Sequence, residues 1–378
     1  MKMVMLTAAC CWPMFSYLAD DSAADEPQQA ARGKSPFDSW DKNQDGYVSR
    51  GEFPARLAKD VFERVDRDRD GRISRKEDEA FRARNRNRRP SRGDRQRTAR
   101  RLPAGVERKR DVVYATLGDR KLHLDLYFQP RSKRPLPLVI WIHGGGWRSG
   151  SKQNPRHALT LLDHGFAVAS VEYRLSGEAI FPAAVEDCKA AVSFLRLNAM
   201  SFRLDPRRFG AWGSSAGGHL VALLGTTNDV DEFNTHAVCR RASPAVQAVC
   251  NWFGPTDFLR MNDFPGKIDH DGPRSPESLF IGGPIQQHKQ QVARANPLRF
   301  VSAGDPPMLL MHGESDQLVP YNQSELLHAE LVKRRIDSTL YRVKGGDHGF
   351  RGAEDSVESL QRRVVAFFRR TLDEAGDR

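Results

Sequence analysis

Four short motifs combine serine, histidine, acidic and glycine residues in ways that can activate a hydroxyl group. They are HGGGW at residues 143–147, GSSAG at 213–217, HGESD at 312–316 and GDHG at 346–349. A serine hydroxyl becomes a good nucleophile when an imidazole removes its proton, and a carboxylate can orient that imidazole. Each string alone arises easily by chance. Together, in the chain order serine, acid, histidine, they predict a site for acyl transfer.

The GSSAG motif predicts the nucleophile. It follows the short apolar segment 209–212, which favours a strand that turns sharply into a helix. At such a turn, the residues two positions before and after the nucleophile must be glycine, because a Cβ would clash there. Gly213 and Gly217 meet this requirement on either side of Ser215. We therefore predict that Ser215 is the nucleophile.

The HGGGW motif follows another apolar segment, 138–142, and predicts an oxyanion-binding loop. Consecutive glycines let the backbone fold tightly and turn its N–H groups toward a developing negative charge. We predict that the N–H groups of Gly145 and Gly146, together with that of Ala216, receive the oxyanion. His143 is expected to brace this loop, and His219 to be a packing residue.

The remaining two motifs predict a base and an acid. His348 lies in a glycine-rich loop after an apolar segment, and we assign it as the general base. Asp316 follows the preceding apolar segment, and we assign it to orient the imidazole and stabilise its charged form. Glu314 is an alternative acid. Asp347 is a weaker one, because a side chain adjacent to His348 in sequence rarely reaches the far ring nitrogen.

A second kind of pattern occurs nearer the N-terminus, where two twelve-residue segments, 41–52 and 66–77, match the calcium-binding loop of EF-hands. The pattern places oxygen ligands at fixed positions, a glycine at position 6 and a bidentate glutamate at position 12. The predicted ligands of the first loop are Asp41, Asn43, Asp45, Tyr47, Ser49 and Glu52. Those of the second loop are Asp66, Asp68, Asp70, Arg72, Ser74 and Glu77. We predict two calcium ions, with Tyr47 and Arg72 contributing backbone carbonyls.

The spacing of the two loops restricts the architecture of this part of the chain. Only residues 53–65 separate them, which is enough for one helix. Val48 and Ile73 occupy the position at which paired loops meet. The sequence therefore predicts a compact EF-hand pair at residues 35–80, with a structural or tethering role rather than a signalling one.

Charge is concentrated in one segment. Residues 82–110 alone carry the formal net charge of +11 that the whole 378-residue chain has. Because this segment holds few apolar residues, we predict a disordered Arg-rich linker at 81–110. It is either a solvated spacer or a tether to an anionic polymer or surface. Specific nucleic-acid binding is not expected, because no aromatic residues are interleaved to stack on bases.

The N-terminal residues resemble a secretory signal peptide. Lys2 precedes a mostly apolar stretch, and small residues follow at 22–24. We predict a signal peptide at 1–24, a linker at 25–34 and export from the cytoplasm. No run of about 18 apolar residues indicates a membrane-spanning helix. Outside the cytoplasm, Cys239 and Cys250 either form a disulfide or stay free.

From about residue 111 the pattern becomes α/β. Short apolar segments alternate with helical periodicity, which predicts a mostly parallel central sheet with helices on both faces. The predicted strands lie at 112–116, 122–128, 138–142, 166–171, 209–212, 248–253, 308–311 and 340–343. The predicted helices include 182–197 and 357–368. We assign residues 111–378 to this second domain.

This second domain resembles the α/β-hydrolase superfamily, in the esterase branch related to hormone-sensitive lipase and to bacterial feruloyl and acetyl-xylan esterases. Besides the motifs above, EYRL at 172–175, FPAAVED at 181–187 and SAGGHL at 215–220 are typical of that branch. The resemblance implies an α/β-hydrolase fold and carboxyl-ester hydrolysis without a catalytic cofactor. It also implies that residues 262–300 shape the substrate pocket.

The sequence thus predicts an exported serine esterase that deacylates a carbohydrate or phenolic ester and carries a calcium-binding module. One alternative is a serine peptidase similar to prolyl oligopeptidase, although the triple-glycine loop favours esters. Another is a calcium-dependent binding protein with a vestigial hydrolase domain, which the intact set of motifs argues against. The acyl group, the natural polymer and the oligomeric state do not follow from the sequence.

Overall fold

The computed structural model describes residues 36–53, 59–88, 102–153, 155–264 and 266–373. The chain divides into two compact units, Met1–Ala99 and Arg100–Arg378. The signal peptide expected at 1–24 and the linker expected at 25–34 lie outside the described residues. Among the described residues, no helix is both long and apolar enough to cross a membrane.

The first unit contains short helices and a two-stranded sheet built around the two predicted calcium loops. Its elements are α1 (Pro36–Trp40), β1 (Tyr47–Ser49), α2 (Lys59–Val65), β2 (Arg72–Ser74) and α3 (Arg75–Arg88). Strands β1 and β2 are antiparallel, and Val48 lies opposite Ile73 as the sequence predicts. These two side chains pack with Phe37, Phe62 and Val65 into a small apolar core. Among the described residues of this unit, the apolar core is therefore small.

The predicted disordered linker at 81–110 is too long at both ends. Helix α3 continues to Arg88, and the first strand of the second unit already begins at Glu107. Acidic residues in the first turn of α3, Glu77 and Asp78, favour a helix through its dipole. The strand is fixed by tertiary contacts, since Arg108 lies 2.5 Å from the buried carboxylate of Asp125. Residues 89–101 lie outside the described part of the chain.

The second unit is built on one eight-stranded sheet. Its strands are β3 (Glu107–Leu117), β4 (Arg120–Phe128), β5 (Leu136–Ile142), β6 (Ala167–Val171), β7 (Leu204–Ser214), β8 (Ala248–Trp252), β9 (Met308–Gly313) and β10 (Ser338–Val343). Their order across the sheet is β10-β9-β8-β7-β5-β6-β4-β3. The pairs β3–β4 and β4–β6 are antiparallel, and the remaining neighbours are parallel. The predicted mostly parallel sheet is confirmed.

Helices cover both faces of this sheet. They are α4 (Ala183–Leu197), α5 (Ala216–Thr226), α6 (Pro276–Ile281), α7 (Lys289–Ala295), α8 (Asn322–Lys333) and α9 (Val357–Phe368). Side chains of β5 alternate between two apolar cores, with Leu138, Ile140 and Ile142 in one and Val139 and Trp141 in the other. Because β5 packs against an apolar core on each face, it is a continuous apolar run, as expected for a strand buried on both faces.

Cysteines do not cross-link the described part of this unit. Cys188, Cys239 and Cys250 are buried and free. Burial raises the pKa of all three thiols, so they pack as small apolar side chains. The disulfide between Cys239 and Cys250 that the sequence left open is not formed.

The parallel strands bring all four motifs of the predicted acyl-transfer site to one edge of the sheet. The HGGGW loop follows β5, GSSAG spans the end of β7, HGESD spans the end of β9, and GDHG follows β10. Carboxyl ends of parallel strands meet at the same edge, which is where open α/β sheets bind their ligands. The fold therefore gathers residues that are far apart in sequence.

Candidate active site

Ser215 occupies a sharp turn between β7 and α5. Its backbone has φ 56° and ψ −124°, a conformation that residues with a side chain rarely adopt. A Cβ on Gly213 would lie 2.2 Å from the carbonyl oxygen of Gly217, and one on Gly217 would lie 2.1 Å from that of Ile142. The turn is therefore accessible only with glycine at both flanking positions.

The side chains of the three predicted residues, Ser215, His348 and Asp316, are joined by a continuous series of polar contacts. Ser215 Oγ lies 3.1 Å from His348 Nε2, and His348 Nδ1 lies 2.7 Å from Asp316 Oδ2. With the proton on Nδ1, the ring donates to the carboxylate and its Nε2 accepts from the serine hydroxyl. This arrangement can transfer the serine proton to the imidazole.

The two alternative acids have other partners. Glu314 Oε1 accepts a hydrogen bond of 2.9 Å from the backbone N–H of Gly345. Asp347 Oδ1 accepts one of 2.6 Å from the backbone N–H of His348 itself. Both carboxylates hold the loop that carries His348, whereas Asp316 contacts its ring.

Asp316 is fixed by several groups besides His348. Its Oδ1 accepts hydrogen bonds from the backbone N–H groups of Leu318 and Val319, at 2.8 and 2.9 Å. The fully buried ring of His312 lies 3.4 Å from its Oδ2 and also contacts Ser324 Oγ at 2.7 Å. No role was predicted for His312, although it begins the HGESD motif. In the structure, the buried His312 ring supports the Asp316 carboxylate through this contact.

The electrostatic surroundings keep Asp316 ionised. Burial raises the pKa of its carboxyl group, but the hydrogen bonds and charges of His312 and His348 lower it more. The net pKa lies well below the ordinary value of an aspartate. A permanent carboxylate at this position favours the charged form of the imidazole that catalysis would generate.

The predicted oxyanion donors lie around Ser215. Gly145 and Gly146 adopt φ values of 118° and 60°, and they line the same pocket as Ser215 and Ala216. Ala216 is the first residue of α5, so its N–H has no acceptor within the helix. Trp147 anchors the end of the loop, because its buried ring stacks on Phe280 at 4.6 Å.

The other histidines near the site have structural surroundings. The ring of His143 stacks on Tyr173 at 4.4 Å, and the Tyr173 hydroxyl donates to the His143 carbonyl at 3.0 Å. His219 is fully buried, and its Nε2 lies 2.7 Å from the carbonyl oxygen of Ala295. Burial lowers the pKa of His143, and it lowers that of His219 to about 4. Both rings are therefore neutral at physiological pH.

A cavity of about 430 Å³ opens over Ser215 and His348. The oxyanion loop forms one part of its wall, and Phe253, Leu318 and Val319 form another. The stretch 262–300, which the resemblance assigned to the pocket, contributes Ile268, His270, Pro276 and Glu277. Sequence reasoning did not single out His270 and Glu277, because no fixed spacing marks pocket residues in a loop-rich segment.

The second of the two predicted calcium loops keeps its acidic side chains close together. In the second loop, carboxylate oxygens of Asp66, Asp68 and Asp70 lie within 4.8 Å of one another. The first residue of each loop has a buried carboxylate oxygen without a hydrogen-bond partner, Oδ1 of Asp41 and of Asp66. A buried acceptor of this kind is costly unless something binds it, and a cation would do so.

The remaining predicted ligands lie around the same two loops. Asn43 donates to Asp45 Oδ2 at 3.0 Å, and Ser49 Oγ donates to Glu52 Oε2 at 2.7 Å. In the second loop, Ser74 Oγ donates to Glu77 Oε2 at 2.8 Å. Tyr47 and Arg72, whose backbone carbonyl oxygens are predicted to bind the ions, begin the paired strands β1 and β2. The donor set consists of hard oxygens, which fits calcium.

Comparison with known families agrees with both parts of this description. A family model described as BD-FAE matches residues 124–331, and one described as EF hand matches residues 58–77. The second match contains the loop at 66–77. The predicted α/β-hydrolase fold with an EF-hand upstream is confirmed.

Several proteins are similar to the second unit. A solved structure titled as a truncated carbohydrate esterase from gut microbiota is 30% identical, with a TM-score of 0.64, covering 71% of this chain and 96% of that one. A bifunctional GH43-CE protein of Bacteroides eggerthii is 35% identical, with a TM-score of 0.61, covering 70% and 38% respectively. The probable carboxylic ester hydrolase LipM of Mycobacterium tuberculosis is 29% identical over 57% of this chain. The match spans 49% of that relative, about half of its length.

The low pKa of Asp316 predicts a specific dependence of stability on pH. Because the folded pKa lies below the unfolded value of about 3.9, ionised Asp316 stabilises the fold fully above a pH of about 3.9. This stabilisation is lost progressively as the pH falls from about 3.9 toward the folded pKa. The free energy of unfolding of wild type should exceed that of Asp316→Asn at pH 6. The gap should narrow by about 1 kcal/mol by pH 3 and narrow further at lower pH. Urea unfolding followed by tryptophan fluorescence measures it, and a gap independent of pH would contradict the prediction.

Proposed function

This chain belongs to the BD-FAE family, and we propose that it is a serine carboxylic-ester hydrolase that works through an acyl-enzyme intermediate on Ser215. The observation that carries the proposal is the chain of contacts from Ser215 through His348 to Asp316, at 3.1 and 2.7 Å, beside a glycine-rich loop in an open cavity. A nucleophile, a base, an orienting acid and oxyanion donors are the parts that acyl transfer requires.

In the first half of the reaction, His348 Nε2 takes the proton from Ser215 Oγ as the oxygen attacks the ester carbonyl carbon. The carbonyl oxygen becomes negatively charged, and the N–H groups of Gly145, Gly146 and Ala216 stabilise it. Losing one such donor typically costs on the order of 10²–10³ in rate. His348 then gives its proton to the leaving alcohol, and the acyl group stays on Ser215.

In the second half, water replaces the alcohol. His348 removes a proton from the water, which attacks the acyl carbon, and then returns that proton to Ser215 Oγ as the acid leaves. Asp316 holds the ring in one orientation and stabilises its charged form in both halves. No step of this cycle requires a metal ion.

We propose an acylated carbohydrate or a phenolic ester as the substrate. The two solved structures similar to this chain at 30% and 35% identity carry the words carbohydrate esterase and GH43-CE in their titles. The cavity is open and includes the polar side chains of His270 and Glu277, which suits a hydroxylated group better than a long aliphatic chain. A peptidase has no comparable support, since the proteins named above are called ester hydrolases or carbohydrate esterases.

We also propose that the first unit binds two calcium ions through the loops at 41–52 and 66–77. The unpartnered oxygens of Asp41 and Asp66 and the oxygen-rich donor set support this. Export of the protein, and attachment of the Arg-rich segment to an anionic polymer or surface, are further proposals that rest on the sequence alone.

Substitutions at the three contacting residues test the proposed mechanism. Ser215→Ala and His348→Ala should each lower kcat/KM for a short acyl ester by on the order of 10⁴ or more, because the nucleophile or its base is lost. Asp316→Asn should be nearly as severe, since the imidazole loses its orienting partner. Steady-state hydrolysis of 4-nitrophenyl acetate is the measurement, with circular dichroism to check folding.

Glu314→Gln is the matched control. It removes a carboxylate from the segment that also carries Asp316, and Glu314 does not contact the ring of His348. It should retain most of the activity. Wild-type turnover by Ser215→Ala would refute the mechanism. Activity lost in Glu314→Gln but kept in Asp316→Asn would refute only the assignment of the acid.

Removal of calcium should affect the first unit and not the chemistry. Without an ion, the clustered carboxylates of the loop at 66–77 repel one another, and the apolar core has only a few residues to resist this. Titration calorimetry on the full chain should find two ions. Chelation should increase hydrogen exchange in residues 36–88 while turnover of a small ester stays within about twofold.

Variants separate the two loops. Glu52→Gln and Glu77→Gln should each remove or weaken one binding event, because the bidentate ligand at position 12 is lost. Absence of binding at millimolar calcium would contradict the assignment of both loops. A large loss of turnover on chelation would show that catalysis depends on the metal after all.

A further inference from the structure

The cavity above Ser215 contains a pair of buried polar residues that the proposed mechanism does not use. His270 lies in the segment after the short 3-10 helix Phe258–Asp263, and Glu277 is the second residue of α6. Both line the cavity together with Ser215 and His348. The two residues are only 2% and 3% exposed, respectively.

This pair lacks the hydrogen bonds that buried polar groups normally make. His270 Nδ1 and Glu277 Oε2 lie 3.1 Å apart as a buried pair, but their geometry is not that of a hydrogen bond. Neither atom has a hydrogen-bond partner among the described residues. Leaving buried groups unsatisfied is costly, so native structures rarely do it without a functional reason. A ligand in the cavity that hydrogen-bonds to these two side chains would remove that cost.

Another buried pair in the same unit shows the contrast. The carboxylate of Asp187 accepts hydrogen bonds of 2.7 to 3.1 Å from the guanidinium of Arg174, and His236 Nε2 lies 3.0 Å from it. That cluster is satisfied within the protein and lies outside the cavity. The buried carboxylate of Asp187 therefore needs no ligand to satisfy it.

The backbone holds the unsatisfied pair firmly. The His270 N–H donates to Asn262 Oδ1 at 3.1 Å. Ser275 Oγ accepts from the N–H of Ser278 at 3.0 Å and so caps α6 without help from Glu277. Pro276, beside Glu277, lies against the oxyanion loop, 3.3 Å from where a Cβ on Gly146 would be. The pair is thus preorganised at a fixed distance from the reacting atoms.

We infer that His270 and Glu277 form a subsite that recognises a hydroxyl group of the substrate. A hydroxyl donates one hydrogen bond and accepts others, so it can donate to the carboxylate and accept from or donate to the imidazole. Sites built in this way reject analogues that lack the hydroxyl, because the buried polar groups are then left unpaired. The inference rests on the proposed esterase function and specifies which esters it prefers.

Two parts of an ester can supply this hydroxyl. One is a free hydroxyl on the alcohol, adjacent to the esterified oxygen as in a sugar ring. The other is a phenolic hydroxyl on an aromatic acyl group. Both use the same chemistry at His270 and Glu277, and substrates that differ by a single hydroxyl distinguish them.

The experiment compares two pairs of esters on the full chain. The first pair is cyclohexyl acetate and the monoacetate of trans-1,2-cyclohexanediol. The second is methyl cinnamate and methyl 4-hydroxycinnamate. In at least one pair, wild type should hydrolyse the hydroxylated ester with a kcat/KM roughly 10- to 100-fold higher. The pair that shows this preference identifies the source of the hydroxyl.

Glu277→Leu should reduce that preference to within about threefold of unity, and Glu277→Gln, which keeps an acceptor oxygen, should reduce it less. Glu358→Leu is the matched control. Glu358 is also the second residue of a serine-capped helix, α9, but it is exposed and outside the cavity. Its variant should leave the preference unchanged.

Several outcomes would overturn the inference. The first is that wild type prefers the hydroxylated ester in neither pair. The second is that the preference survives in Glu277→Leu. The third is that Glu277→Leu lowers kcat/KM equally for hydroxylated and unhydroxylated esters, which would indicate a structural role. Should Glu277→Leu fail to fold, the wild-type ratios and Glu277→Gln still decide the question. Failure of wild type to hydrolyse any of the four esters would instead refute the proposed esterase function.

Discussion

The rest of the site depends on a close approach of three backbone segments around Ser215. The end of β5, the end of β7 and the start of α5 meet with no side chains between them, because Gly213 and Gly217 lack a Cβ. Two backbone hydrogen bonds hold Ser215 in its unusual conformation. Its N–H donates to the Trp252 carbonyl at 2.9 Å, and the Ser215 carbonyl accepts from the His219 N–H at 3.1 Å. Backbone strain of this kind costs about 1–3 kcal/mol and persists only where the surrounding structure enforces it.

The parallel sheet converts this local constraint into a complete site. Since β5 is the neighbour of β7, the loop with Gly145 and Gly146 lies beside the nucleophile. Strands β9 and β10 deliver Asp316 and His348 to the same edge, although His348 is 133 residues from Ser215 in sequence. The buried ring of His312 and the N–H groups of the following loop then fix the acid. Each functional group is positioned by an element with its own apolar contacts.

The sequence predicted the parts of this structure that depend on local pattern. The order of the strands, the elbow at Ser215 and the EF-hand all follow from residue types at fixed spacing. The end of α3 at Arg88 and the start of β3 at Glu107 did not follow, because composition averaged over 81–110 hid the helix dipole and the Arg108–Asp125 contact. The positions of His312, His270 and Glu277 required the fold, because tertiary packing and not spacing places them near the site.

The central claim is that Ser215 carries the acyl group between the two halves of the reaction. Rapid mixing of the protein with 4-nitrophenyl acetate, acid quench and peptide mapping by mass spectrometry tests it directly. The account predicts a burst of 4-nitrophenol that approaches one equivalent per protein, with a single acetyl group on the peptide that contains Ser215. Turnover without any acylated peptide, or acetylation of a different residue on the catalytic time scale, would contradict it.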